Sequence, residues 1–141
     1  MIWKNKPTIE ALNNINKNSL GAHLGIEVLE VGEDYIKAKM PVDNRTKQPM
    51  GLLHGGASVA LSETMGSIAS VLIIDDISKE SIVGIEINAN HLKSVTSGFV
   101  YSITKPIRIG RKIQVWNTEI FNEAQELICV SKLTTMRVKN R

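Results

Sequence analysis

The residues from Gln48 to Ser70, Gln-Pro-Met-Gly-Leu-Leu-His-Gly-Gly-Ala-Ser-Val-Ala-Leu-Ser-Glu-Thr-Met-Gly-Ser-Ile-Ala-Ser, constrain this chain more than any other part of it. A turn-forming loop with Pro49 and Gly51 passes through His54-Gly55-Gly56 into a run of small and apolar residues, in which Glu63 is the only charge. Ala57, Ala60, Leu61 and Met65 are good helix formers and no proline interrupts the run. Apolar residues fall on nearly every side of the helical wheel, which predicts a helix buried all round. A lone carboxylate in such a helix is costly unless it is paired, hydrogen-bonded or placed at a cleft. Glu63 therefore has to be accounted for.

The rest of the chain is of a kind that can bury such a helix. Its 141 residues suit a single domain, 1–141, long enough for a proper core. With 43% apolar and 22% charged residues it is composed like an ordinary soluble globular protein. A formal net charge of +3 does not by itself point to nucleic acid, and the few aromatics are not interleaved with the basic residues. Cys129 is the single cysteine, so no disulfide can close within the chain and a reducing cytoplasm fits. The opening Met-Ile-Trp-Lys-Asn-Lys-Pro lacks the continuous apolar core of a signal peptide. Ser58, Ser62, Glu63, Thr64, Ser67 and Ser70 interrupt the apolar stretch from Ala57 to Ile74, which favours a core helix over a membrane span.

Taken in order, Thr8 to Ile15 reads as a short helix with Thr8 as N-cap and Ile9, Leu12 and Ile15 on its packed face. Asn16 to Gly25 is a loop or one further turn. Ile26–Val31 and Tyr35–Val42 alternate apolar and polar residues about the turn Gly32-Glu33-Asp34, the pattern of a hairpin. Asp43 to Leu53 feeds the long helix, which is expected to end near Asp75-Asp76. Four more strand-like runs follow, at Ile82–Leu92, Phe99–Ile107, Ile113–Phe121 and Leu127–Val138. In the first, Val83, Ile85, Ile87 and Ala89 share one side and Glu86, Asn88 and Asn90 the other. The short joins imply antiparallel neighbours. The expected fold is α+β: a six-stranded, mainly antiparallel sheet curled around one long helix.

Around that helix lie residues able to do chemistry. The first amides of a helix have no internal partners, so those of Gly55 and Gly56, with no Cβ in the way, offer a site for a carbonyl oxygen that gathers negative charge. Gln48 and His54 are placed to position or polarise the same carbonyl, and Glu63 is the natural nucleophile or general base. Taken singly, the glycines also suit a tight loop-to-helix transition, His54 a core histidine and Gln48 an ordinary loop residue. Glu63 lies eight residues beyond Gly55, about 12 Å along one straight helix. That is too far for both to touch one reacting carbonyl. If they cooperate, the carboxylate comes from a second copy of the helix running antiparallel across a two-fold axis. Thr64 and Ser67 fall near Glu63 on the wheel and would line the shared cleft.

The motif Gln48-Pro-x-Gly-x-x-His54-Gly55-Gly56 followed by Glu63 resembles that of the hot-dog-fold acyl-CoA thioesterases, the group of the phenylacetate-pathway and 4-hydroxybenzoyl-CoA thioesterases. The similarity runs over essentially the whole chain. Met1-Ile-Trp-Lys, Met40-Pro-Val-Asp-Asn-Arg-Thr-Lys-Gln-Pro, Gly84-Ile-Glu-Ile-Asn-Ala-Asn-His and Gln114-Val-Trp look particularly like bacterial 1,4-dihydroxy-2-naphthoyl-CoA hydrolases of menaquinone synthesis. A sister branch clears wrongly loaded aryl groups from a carrier protein. The resemblance implies that the Gly55 amide and Gln48 hold the thioester oxygen while His54 orients the site. It also implies that Glu63 of the partner subunit attacks the thioester or activates water, assisted by Ser67. It implies a homodimer or homotetramer acting on an acyl-CoA, with no cofactor. Neither His-x-x-x-His nor Cys-x-x-Cys spacing occurs, so no metal is expected. Ile87 to Thr118 holds no acid but several bases; the resemblance favours His91 and Lys93 as contacts for coenzyme A phosphates, against the plainer reading of a solvated basic face. Two rivals remain: a hot-dog dehydratase, whose catalytic His sits in a different frame, and a non-catalytic acyl-CoA-binding module, against which Glu63 argues.

Overall fold

The computed structural model describes residues 1–141. Three helices, α1 (Ile9–Ile15), α2 (Leu20–His23) and α3 (Gly55–Leu72), accompany six strands, β1 (Glu27–Val31), β2 (Ile36–Pro41), β3 (Glu80–His91), β4 (Phe99–Ile109), β5 (Ile113–Phe121) and β6 (Leu127–Lys139). The strands form one sheet in the order β1-β2-β4-β5-β6-β3, every pairing antiparallel. The sheet curls about α3 and covers the side of it that carries Leu61, Met65 and Ala69. Thr8 caps α1 as expected, its hydroxyl accepting from the Ala11 amide at 3.1 Å. Within Asn16 to Gly25 lies the single turn α2. It closes with Ile26 N–H donating to Gly21 O and Gly25 N–H to Ala22 O, and Gly25 at φ +72° supplies the left-handed residue this stop needs. No helix is long and apolar enough to cross a membrane.

Leu61, Met65 and Ala69 of α3 have no exposed surface and meet Ile36, Ala38, Met40, Val100, Trp116 and Ile120 from the sheet. Trp3 stacks on Trp116 with ring centroids 6.1 Å apart, which seats the N-terminal segment on the same core. Among these apolar groups runs a buried polar chain. The Trp116 indole donates to Ser70 Oγ at 2.7 Å, Ser70 and Thr135 share a hydroxyl hydrogen bond of 2.7 Å, Thr135 donates to Gln114 Oε1 at 3.2 Å, and Gln114 Nε2 donates to Gly110 O at 2.9 Å. Each member thus has a partner in the low-dielectric interior, where an orphan would be expensive.

Besides Ile15 of α1, which is 77% exposed rather than packed, three expectations need correction. First, α3 is not buried all round. Its sheet-facing residues are covered, but Val59, Ala60, Glu63, Thr64, Ser67 and Ile68 are half-buried and Val71 is 40% exposed. Six strands close over one side of the helix and leave a sector open. Second, α3 ends at Leu72 rather than near Asp75-Asp76. Carboxylates are disfavoured at a helix C-terminus, and Asp76 instead accepts from the Ser78 amide at 3.0 Å to begin a turn. Arg137 brings the favoured positive charge, donating to the Ile73 carbonyl at 3.0 Å. Third, β3 does not alternate as its sequence suggests. Its register against β6 shifts between Gly84 and Glu86, so Ile85 is an extra residue and the facing reverses across it. Gly84, Ile87, Ala89 and His91 lie opposite the buried Thr135, Leu133, Ser131 and Cys129, on the helix side, whereas Val83 turns outward.

Candidate active site

The loop entering α3 is built to hold a donor. Gly51, at φ +82°, turns the chain back so that Gln48 N–H donates to Leu52 O at 2.8 Å. The Gln48 side-chain oxygen accepts from the backbone amides of Met50 and Leu52, which leaves its Nε2 as the free end. Upstream, Thr46 Oγ1 donates to Pro41 O at 2.7 Å, and Arg45 pairs with Asp43. The Arg45 guanidinium holds the Asp43 carboxyl below the usual aspartate range.

His54 is the N-cap of α3, with φ −67° and ψ 130°, and its Nδ1 accepts from the Gly56 amide at 2.7 Å. That fixes which glycine amide is open. Gly56 N–H is taken by the imidazole, and a Cβ on Gly56 would meet that ring at 2.8 Å. Gly55 N–H donates to no group in the chain. Gly55 also admits a close neighbour, because a Cβ there would lie 2.7 Å from His91 Nε2. Gln48, Gly55, Ser58, His91 and Lys93 border one depression of about 330 Å³ at the helix N-terminus. The Lys93 ammonium, however, is paired with Glu126 from the β5–β6 turn, and this contact, with the Asn122 amide, holds the Glu126 carboxyl below its ordinary range. Both partners are about half exposed, so the pair is weakly held and exchangeable.

Glu63, Thr64 and Ser67 lie elsewhere. The half-buried Glu63 carboxylate rests against Gly84 of β3, where a Cβ would stand 2.8 Å from Oε1, and it makes no hydrogen bond or ion pair within the chain. The Thr64 hydroxyl donates back to the Ala60 carbonyl at 2.7 Å. Ser67, one turn beyond Glu63, opens onto a groove of about 660 Å³ floored by Ile68, Val71 and Leu72 and walled by Leu12 and Ile15 of α1. One chain therefore assembles two half-sites, an N–H donor cluster and a carboxylate beside an apolar groove, and does not join them. Gly84, Glu126 and the groove were not singled out in the sequence. A glycine inside a strand was the available signal for Gly84, since such glycines often mark a bulge or a close approach.

Residues 50–129 match the Thioesterase superfamily, more than half the chain. The chain is 49% identical over 135 residues to the 1,4-dihydroxy-2-naphthoyl-CoA hydrolase of Escherichia coli, covering 96% of this chain and 98% of that protein. It is 47% identical over 135 residues to a proofreading thioesterase of Cronobacter turicensis, at 96% and 97% coverage. A solved thioesterase from Haemophilus influenzae superposes with a TM-score of 0.95 at 50% identity, covering 99% of this chain and 96% of that one. The chain belongs to the thioesterase superfamily. It is a thioester hydrolase with the hot-dog fold.

Proposed function

We propose that this thioesterase hydrolyses an aromatic acyl-CoA, 1,4-dihydroxy-2-naphthoyl-CoA first among candidates, at sites shared between two subunits. The observation that carries the shared site is the Glu63 carboxylate, unpaired on the open side of α3 and one turn from an apolar groove, and the substrate is supported by the 49% identity to the naphthoyl-CoA hydrolase. In the proposed site the thioester oxygen accepts from Gly55 N–H and Gln48 Nε2, while His54 holds the start of the helix in place. Glu63 of the partner subunit then adds to the carbonyl carbon and expels the thiolate, leaving a mixed anhydride that water hydrolyses, or it draws a proton from a water that itself adds to the carbonyl and expels the thiolate. Either route consumes one water and yields acid and thiol. Ser67 and Thr64 border the acyl group, whose far end lies along Ile68 and Val71.

Two features support the shared site. The open sector of α3 leaves apolar surface uncovered, and the edge strand β3 exposes Val83 (41%) and Ile85 (50%) beside unpaired backbone groups. Antiparallel pairing of two β3 edges about a two-fold axis covers both and sets one helix N-terminus against the other chain's Glu63. The similarity to a proofreading thioesterase, nearly as high as that to the naphthoyl-CoA hydrolase, favours a carrier-bound aryl thioester as the second reading.

A panel of aryl- and fatty-acyl thioesters, offered on coenzyme A and on a carrier protein, tests this by thiol release. The expected result is the highest kcat/KM for the bicyclic aryl-CoA. A preference for the carrier-bound aryl group selects the second reading, and thioester binding without thiol release removes hydrolysis of these substrates. Burial raises the Cys129 thiol above its ordinary pKa, so the chain's own cysteine adds little background to such an assay.

Of the two bases the resemblance offers for the coenzyme A phosphates, His91 lies against Gly55 at the thioester end, and Lys93, half exposed at the rim, is assigned to the phosphates. Lys93→Ala should raise KM for CoA thioesters more than it lowers kcat, because a remote contact acts in ground and transition states alike. The difference should shrink as salt rises, since the lysine is half exposed. Kinetics equal to wild type at low salt reject the assignment.

A further inference from the structure

We infer that Gly84 is a positioning residue for Glu63, its missing side chain being the seat of the catalytic carboxylate. The inference rests on the proposed role of Glu63 and goes beyond it. β3 carries its extra residue, Ile85, directly after Gly84, and this bulge reverses the facing beyond it, so that Gly84 rather than Val83 shares the helix side with Ile87 and Ala89. The inward position of β3 nearest Glu63 is thus occupied by the one residue that presents no Cβ. A Cβ built there lies 2.8 Å from Glu63 Oε1 and 3.8 Å from its carboxyl carbon, and next nearest is the tip of Leu133 at 3.9 Å. The carboxylate is therefore what fills the space. The glycine is not required by the backbone, since Gly84 is not among the residues of positive φ.

These facts separate fold from function. An alanine at this position is sterically compatible with β3, and the only group that must yield is the end of a flexible side chain. Glu63 yields by swinging away from the bulge. Its carboxylate has no hydrogen bond or ion pair within the chain to bring it back, so Gly84 is what limits it on that side. Misplacement of a reacting group by about 1 Å can cost on the order of 10²-fold in rate.

The experiment is a double-mutant comparison in the full-length protein. Gly84→Ala is expected to lower kcat on an aryl-CoA by about 10-fold to 10²-fold, with KM within about two-fold, because binding groups elsewhere are untouched. The same change is expected to cost almost nothing on the residual activity of Glu63→Gln, where no carboxylate remains to be displaced. It should also cost little in Glu63→Asp, whose carboxylate is drawn back by one methylene. Comparison between backgrounds holds whatever the alanine does to stability, because a general loss of folded protein lowers all of them by a similar factor. An equal loss in the Glu63→Gln background overturns the assignment, as does wild-type kcat in Gly84→Ala alone. Full turnover in Glu63→Gln is a separate result: it removes the carboxylate from the mechanism and leaves Gly84 nothing to position.

Discussion

Glu63→Gln should fold, bind substrate with a near-normal KM and lose at least ~10²-fold in turnover, the usual cost of deleting an acid-base or nucleophilic group. The substitution keeps size and shape and removes only charge and basicity. Because Glu63 has no ion-pair or hydrogen-bond partner within the chain, no buried group is left unsatisfied when it becomes an amide. Stability should hardly change. Thiol release gives kcat, a thermal melt gives the fold, and titration with a non-hydrolysable thioether analogue gives binding. Near-full turnover in a folded variant would take Glu63 out of the reaction.

Mixing two inactive parents should restore about a quarter of wild-type activity. Take Glu63→Ala and His54→Ala, each defective at both sites of its homodimer. In a mixed dimer one site joins an intact His54 from one chain to an intact Glu63 from the other, and the second site lacks both. Random reassortment makes about half the dimers mixed, each with one good site of two. Neither homodimer accounts for the gain. His54 caps α3 through Nδ1, so its removal costs about 1 kcal/mol of stability as well as any catalytic role. The melting temperature of His54→Ala is measured first, and co-expression with two different tags verifies exchange. Verified mixed dimers as inactive as their parents mean that both residues act within one chain, or that His54 serves the fold alone. The shared cleft then falls.

The fold was legible in the sequence where a local rule acts alone. Alternation in the hairpin and short polar joins between β-branched runs dictate antiparallel neighbours, and the proline-free run after Gly55-Gly56 dictates the helix. The donor loop was legible for a similar reason, since its turn residues, glycines and histidine lie within a few positions of one another. What escaped the sequence was non-local. An alternating run reads the same with or without an inserted residue, so the bulge at Ile85, and with it the facing of Val83 and Gly84, is fixed only by pairing with β6. Lys93 read as a free cation in an acid-free stretch, yet its partner Glu126 lies 33 residues away and arrives by folding. A helical wheel holds no information on how far a six-stranded sheet can wrap, so the open sector of α3 is not visible in it. The groove beside Ser67 is assembled from the N-terminal segment, α1 and α3, three pieces with no common motif.

The polar chain through Trp116, Ser70, Thr135 and Gln114 bears on how such an enzyme can change its diet. Apolar contacts tolerate slippage, but hydrogen bonds do not. Advancing α3 by a single residue turns it by about 100° and shifts it about 1.5 Å, which would break the bonds at Ser70 and swing Glu63 off Gly84. Ser70 lies between Ile68 and Val71 in sequence, but is fully buried while they line the open groove. In the proposed site, side chains at the groove are thus free to be exchanged, and new acyl groups admitted, while the helix stays keyed to the sheet two turns from the Glu63 carboxylate. Selectivity can drift without the reacting atoms losing their alignment.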